Sequence, residues 1–180
     1  ATGKVIIDFQ SKYYIGATKE DSSNAESSAI TWASLWSISI FSQPDYPLMI
    51  TNSGGPKVVF HYDSTYAGGI AQGIFTPHVN HSIARMLSGL TSILTSIVSV
   101  AHAHVKAHIG HPWNELADTL ATIESNAVPS WEGSYDKAMK DAPFPIAEWA
   151  RGGGHTAELA HLLYLPEGSL EVFPRVVRTS

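Results

Sequence analysis

Ser99–Ala121 reads S-V-A-H-A-H-V-K-A-H-I-G-H-P-W-N-E-L-A-D-T-L-A, and the order of residue types along it describes a strand, a tight turn and a helix. Val100, Ala103 and Val105 are small or β-branched and suit a pleated, half-buried surface. His102, His104, Lys106 and His108 recur at period two, which places them on one face of the strand. Gly110 permits the turn, and Pro112 suits the first helical turn, where a missing N–H costs nothing. In the helix that follows, Asn114 and Asp118 are four residues apart and share a face, while Leu116, Ala117, Leu120 and Ala121 offer apolar surface for packing. One short stretch therefore carries a histidine and a carboxylate to neighbouring points at the end of a strand.

The rest of the chain bounds what that stretch serves. A hydrophobic share of 44% with only 15% charged residues belongs to a chain that folds on a core. It contains no cysteine, which excludes disulfides and thiolate metal sites. The long apolar-looking run from Ile83 to Val100 is broken by Arg85, Gly89 and several Ser and Thr, so it predicts a core helix rather than a membrane span. No charged segment followed by an apolar core opens the chain. The expectation is an intracellular protein, of cytoplasm or nucleus, with no membrane partner. The formal net charge of −5 is opposite to the basic excess of a free-standing nucleic-acid binder. If the chain handles nucleic acid, other domains supply much of the grip.

Towards the N-terminus, Lys4–Phe9 and Tyr13–Thr18 are rich in β-branched and aromatic residues, and Gln10, Ser11 and Lys12 would turn between them, which predicts a hairpin. Asp21, Ser22, Ser23 and Asn24 are cap formers ahead of a helix over roughly 25–41. Ala29, Ile30, Trp32, Ala33, Leu35, Trp36 and Ile40 spread around most of its circumference and predict a helix buried on all sides. Glu26 falls in its first turn, where the helix dipole favours a carboxylate. Pro44 and Pro47 end the helix, and Asn52–Pro56 read as a Gly-rich loop. In K-V-V-F-H-Y-D-S, Lys57–Ser64, the apolar run Val58–Phe60 predicts a strand buried on both faces. Asp63 at its end is expensive to bury unless paired or bound to a metal. Residues 67–77 read as an irregular connection or a short helix. From His81, Ile83, Leu87, Leu90, Leu94 and Ile97 recur at spacings of three and four, the pattern of an amphipathic helix.

The string H-I-G-H-P-W-N-E-L-A-D-T-L-A, His108 to Ala121, resembles the last strand and helix of the ribonuclease H family, G-H-x-G-x-x-x-N-E-x-A-D-x-L-A, with Ala107 in place of the usual Gly. Asp63, Ser64 and Tyr66 match the family's D-S-x-Y setting, and Asn24, Ala25 and Glu26 resemble the opening of its first helix with one residue fewer. The resemblance runs in order from Lys4 to Ala121. It implies an α/β fold, a mixed sheet flanked by helices, in residues 1–124, followed by a Pro/Gly-rich extension over 125–180. It also implies hydrolysis of the RNA strand of an RNA–DNA hybrid with two Mg²⁺ (or Mn²⁺) ions. Glu26, Asp63 and Asp118 would hold the ions as catalytic ligands, and His108 would assist proton transfer or product departure.

The family's first metal-binding Asp sits in a first strand, in a D-G-S or D-G-T setting that this chain lacks. The two strand-like runs before Glu26 therefore read as the second and third strands, with the first strand missing, and the chain alone is expected to be inactive. Asp8, in I-I-D-F-Q, is the alternative bearer of that carboxylate. The N-E-L-A-D ending, the absent basic excess and the trailing extension are similar to ribonuclease H domains of reverse-transcriptase polyproteins in retroelements, whose other domains would be partners. Two further readings are a ribonuclease H-like scaffold without catalysis, and a zinc or nickel module built on His102, His104, His108 and His111. In the extension, Val128–Gly133 reads as a linker, and Ser134–Asp141 and Thr156–Leu165 as helices.

Overall fold

A computed structural model of the chain describes residues 4–42, 57–78, 81–107, 109–124, 140 and 151. In order these form α1 (Ser22–Phe41), β1 (Lys57–Tyr62), α2 (Thr65–Ala71), α3 (His81–Ile97), β2 (Ser99–His104) and α4 (Pro112–Glu124). β1 and β2 pair in parallel, from Lys57 opposite Ser99 to Tyr62 opposite His104. Parallel neighbours need a long crossover, and α2 with α3 provides it. The architecture is α/β. Among the described residues the sheet has two strands and is wholly parallel, where a mixed sheet was expected. His108, the Gly-rich loop at Asn52–Pro56, the linker and both helices expected in the extension lie outside the described residues, except that Lys140 is helical.

α3 is the amphipathic helix its spacing predicts. Ile83, Met86, Leu87, Leu90 and Leu94 are fully buried, and only the last member of the series, Ile97, surfaces. Its main partner is α1. Burial of five such side chains is a large apolar contribution to the fold.

α1 starts earlier than the spacing indicates. Asp21 is its N-cap, and Oδ1 accepts from both the backbone N–H (2.8 Å) and the side-chain Nδ2 (2.7 Å) of Asn24. Starting at Ser22 places Glu26 in the second turn, not the first. Nor is the helix buried all round. Ala29, Ala33 and Ile40 face solvent, whereas Ser27, Ser28, Thr31, Ser34 and Ser39 are buried. Thr31 Oγ1 donates to the Ser27 carbonyl at 2.6 Å and Ser39 Oγ to that of Trp36 at 2.9 Å. Hydroxyls that return a proton to their own helix, as these two do, are cheap to bury, whereas Ser28 and Ser34 Oγ are buried without a hydrogen-bond partner.

The hairpin is not formed: residues 4–20 contain no strand. Asp8 instead closes a turn, its carbonyl accepting from Ser11 N at 3.0 Å and its Oδ1 from Gln10 N at 2.9 Å. Ser11 continues it, with its carbonyl bonded to Tyr14 N (3.1 Å) and its Oγ to Tyr13 N (3.2 Å). These local acceptors give the backbone an alternative to the ladder that β propensity favours. Tyr13, Tyr14, Ile15 and Ala17 then pass into the core. With its Oδ1 on Gln10 N, Asp8 serves as a turn cap.

β1 is buried on one face only. Phe60 is 8% exposed while its neighbour Val59 is 41% exposed. α2 and α3 pack on the strands, and Val58, Phe60, Tyr62 and Val100 join their core. The other face has no such cover among the described residues, which is why an apolar run alone misled.

Candidate functional site

Asp63 follows β1 directly, at the carboxyl end of the parallel pair, the place where open α/β sheets bind ligands. Ser64 then caps α2, its Oγ accepting from Ala67 N at 3.2 Å. The chain is thereby turned sharply at Asp63, and its side chain stays partly buried beyond the strand end. Asn114 Nδ2 donates to Asp63 Oδ2 at 3.2 Å, and His104 Nε2 lies 3.2 Å from the Asp63 carbonyl oxygen. Three separate elements, β1, β2 and α4, therefore meet around this residue.

α4 is built as the sequence foretells. Gly110 has φ of 79°, Pro112 opens the helix, and the Glu115 carboxylate reaches back to accept from Gly110 N at 3.2 Å. Its orientation is the reverse of what apolar packing predicts. Trp113 (73% exposed), Leu116 and Leu120 face outward, and Ala117 and Ala121 are exposed with them. His111, Asn114, Glu115 and Asp118 are the partly buried positions. Asp118 is one turn past Asn114 on this inward polar face. His111 also stacks on His61 of β1, ring centroids 6.4 Å apart.

Glu26 is partly buried on α1, and α1 packs chiefly on α3 and α2 rather than on the strands. Among the described residues no group of three His, Asp or Glu side chains is gathered to hold a metal ion. Glu26, Asp63 and Asp118 thus do not form such a cluster in this chain. Asp63 and the Asn114–Asp118 face of α4 are brought together; Glu26 is not shown to join them.

The period-two histidine face ends early. β2 stops at His104, so Lys106 does not extend the strand. His102 and His104 lie on the face of Phe60 and Tyr62, with ring centroids 5.6 Å (Phe60–His102) and 5.9 Å (Tyr62–His104) apart. Burial lowers the His102 pKa from its ordinary value, and its Nδ1 is buried without a hydrogen-bond partner. His102 borders a cavity of about 480 Å³ between β2 and α3, lined by the hydroxyls of Ser88, Thr91, Ser92 and Thr95. Asn114 and His61 have no role in the sequence reading, and His104 has one only as a ligand of the zinc or nickel alternative. Asn114 carried a signal, its i, i+4 spacing to Asp118.

Among known proteins the chain matches no family model, no curated protein and no solved structure. No helix among the described residues is long and apolar enough to cross a membrane.

Proposed function

We propose that this chain carries the greater part of a ribonuclease H-like domain acting on the RNA strand of an RNA–DNA hybrid, as a unit of a reverse-transcriptase polyprotein. The observation that supports it most directly is the bond between Asp63 and Asn114. Two motifs picked out separately, D-S-T-Y and N-E-L-A-D, meet at the carboxyl end of a parallel strand pair. An inward polar face on α4, with its apolar residues left outside, also favours a site over a packing role. A helix that merely covered the sheet would bury Trp113, Leu116 and Leu120.

The hybrid-cutting reading calls on Mg²⁺ held by Glu26, Asp63 and Asp118, and these residues alone do not assemble into a site. Divalent ions of this kind favour carboxylates and retained waters, which matches the donor types but not their present arrangement. The proposal therefore includes a catalytic set completed by a further acidic strand, and no turnover by residues 1–180 alone.

The test is cleavage of an end-labelled RNA–DNA hybrid in Mg²⁺ by the purified chain and by a longer chain carrying the segment encoded ahead of Ala1. Activity confined to the longer chain, and lost in Asp63→Asn and Asp118→Asn, would support the reading. A longer chain that binds the hybrid without cutting it would leave a non-catalytic scaffold.

A further inference from the structure

The segment Lys4–Thr18 conflicts with its own sequence. Two β-prone runs flank a short polar turn, yet no strand forms, and Ile7 (44%) and Phe9 (49%) stay largely exposed. Local preference and tertiary result normally agree, and where they part the reason is a specific competing contact. Here that contact is Arg151. Its Nε donates to the Phe9 carbonyl at 2.8 Å, and its Nη2 to the carbonyls of Ser11 at 2.9 Å and Gln10 at 3.3 Å. A planar guanidinium with fixed donors suits three converging carbonyls in a way an ammonium does not.

A hairpin turning through Gln10, Ser11 and Lys12 would be closed by Phe9 and Tyr13, the Phe9 carbonyl accepting from Tyr13 N. Both groups are engaged elsewhere. The Phe9 carbonyl is bonded to Arg151, and Tyr13 N to Ser11 Oγ at 3.2 Å. The single Tyr13 N–H is taken up by Ser11 Oγ, and Arg151, bonded to the carbonyls of Phe9, Gln10 and Ser11, holds the backbone in the turn that brings those two groups together. We propose that Arg151 is a latch that holds the N-terminal segment out of a β-hairpin, and that releasing it lets Lys4–Phe9 and Tyr13–Thr18 pair. The inference stands apart from the nuclease reading, since it uses neither Asp63 nor α4.

The test is nuclear magnetic resonance on the labelled 180-residue chain. In the native chain the Arg151 Nε–H exchanges slowly, by about tenfold or more against a free guanidinium. In Arg151→Ala the carbon shifts of residues 4–9 and 13–18 move to strand values, and Phe9 and Tyr13 show cross-strand contacts. Arg151→Lys moves in the same direction. Shifts unchanged from the native chain, or a segment gone to random coil, overturn the latch. Should Arg151→Ala fail to fold, Arg151→Gln keeps a polar side chain but loses the charged three-donor fork. There, strand-like shifts over residues 4–9 and 13–18 support the proposal, and a retained turn overturns it.

Discussion

Asn114 and Asp63 are 51 residues apart in sequence and joined at 3.2 Å by one amide-to-carboxylate hydrogen bond. This bond and the His61–His111 stack join the inward face of α4 to β1 and to the residue that follows it. A double-mutant cycle with Asp63→Ala and Asn114→Ala, read by urea unfolding, is expected to give a coupling of about 0.5–1.5 kcal/mol. Additive single effects would show that the helix is held by something else.

Gly16 has φ of 100°, and a Cβ there would come within 2.9 Å of Ile83 N and the Ser82 carbonyl carbon at the start of α3. Neither backbone atom can yield as a flexible side chain would. Gly16→Ala is expected to destabilise by about 1–3 kcal/mol, from a strained conformation and a steric conflict together. Thermal melting of the variant measures it. A melt within a degree of the native chain would mean that the N-terminal segment does not pass so close to α3.

Two leucine-type positions on α3 should respond differently. Leu90 is fully buried, whereas Ile97 is 38% exposed. Leu90→Ala is expected to cost about 2–5 kcal/mol through lost transfer energy and a cavity. Ile97→Ala should cost well under half of that, about 1 kcal/mol or less. Equal losses in denaturant unfolding would contradict the assigned core.

His102 gives the chain an acid-sensitive element. Burial lowers its pKa below the ordinary histidine value of 6.5, so the folded state binds its proton less readily than the unfolded state. Its contribution is fully present above about pH 6.5 and is lost as pH falls through the lower, folded value. Unfolding midpoints measured from pH 8 down to pH 5 should therefore decline, and His102→Leu should flatten the decline. An unchanged slope in the variant would assign the acid sensitivity to another group.

Where neighbouring residues alone decide the outcome, the sequence was legible. The spacing of Ile83, Leu87, Leu90 and Leu94 sufficed for α3, because a stripe of that period has one way to leave water. Gly110 and Pro112 sufficed for the turn into α4, because each acts through its own backbone. The carboxylate at the end of β1 was visible as Asp63, since a charge beside an apolar run demands an explanation. α1 misled because its buried face mixes Ser and Thr with Ile30, Trp32, Leu35 and Ile38, so a hydrophobic pattern does not mark which side is inside.

The sequence by itself determined α1, α3 and α4, the strand pair's members and the acidic and amide residues that accompany them, through periodicity and backbone chemistry that operate within a few residues. Tertiary structure alone decided that Lys4–Thr18 forms turns and that α4 shows its polar side to Asp63. Both outcomes involve a partner far along the chain, Arg151 for Phe9 and Asn114 for Asp63. Competition between a local preference and a distant hydrogen bond is settled only when folding brings the two groups within reach.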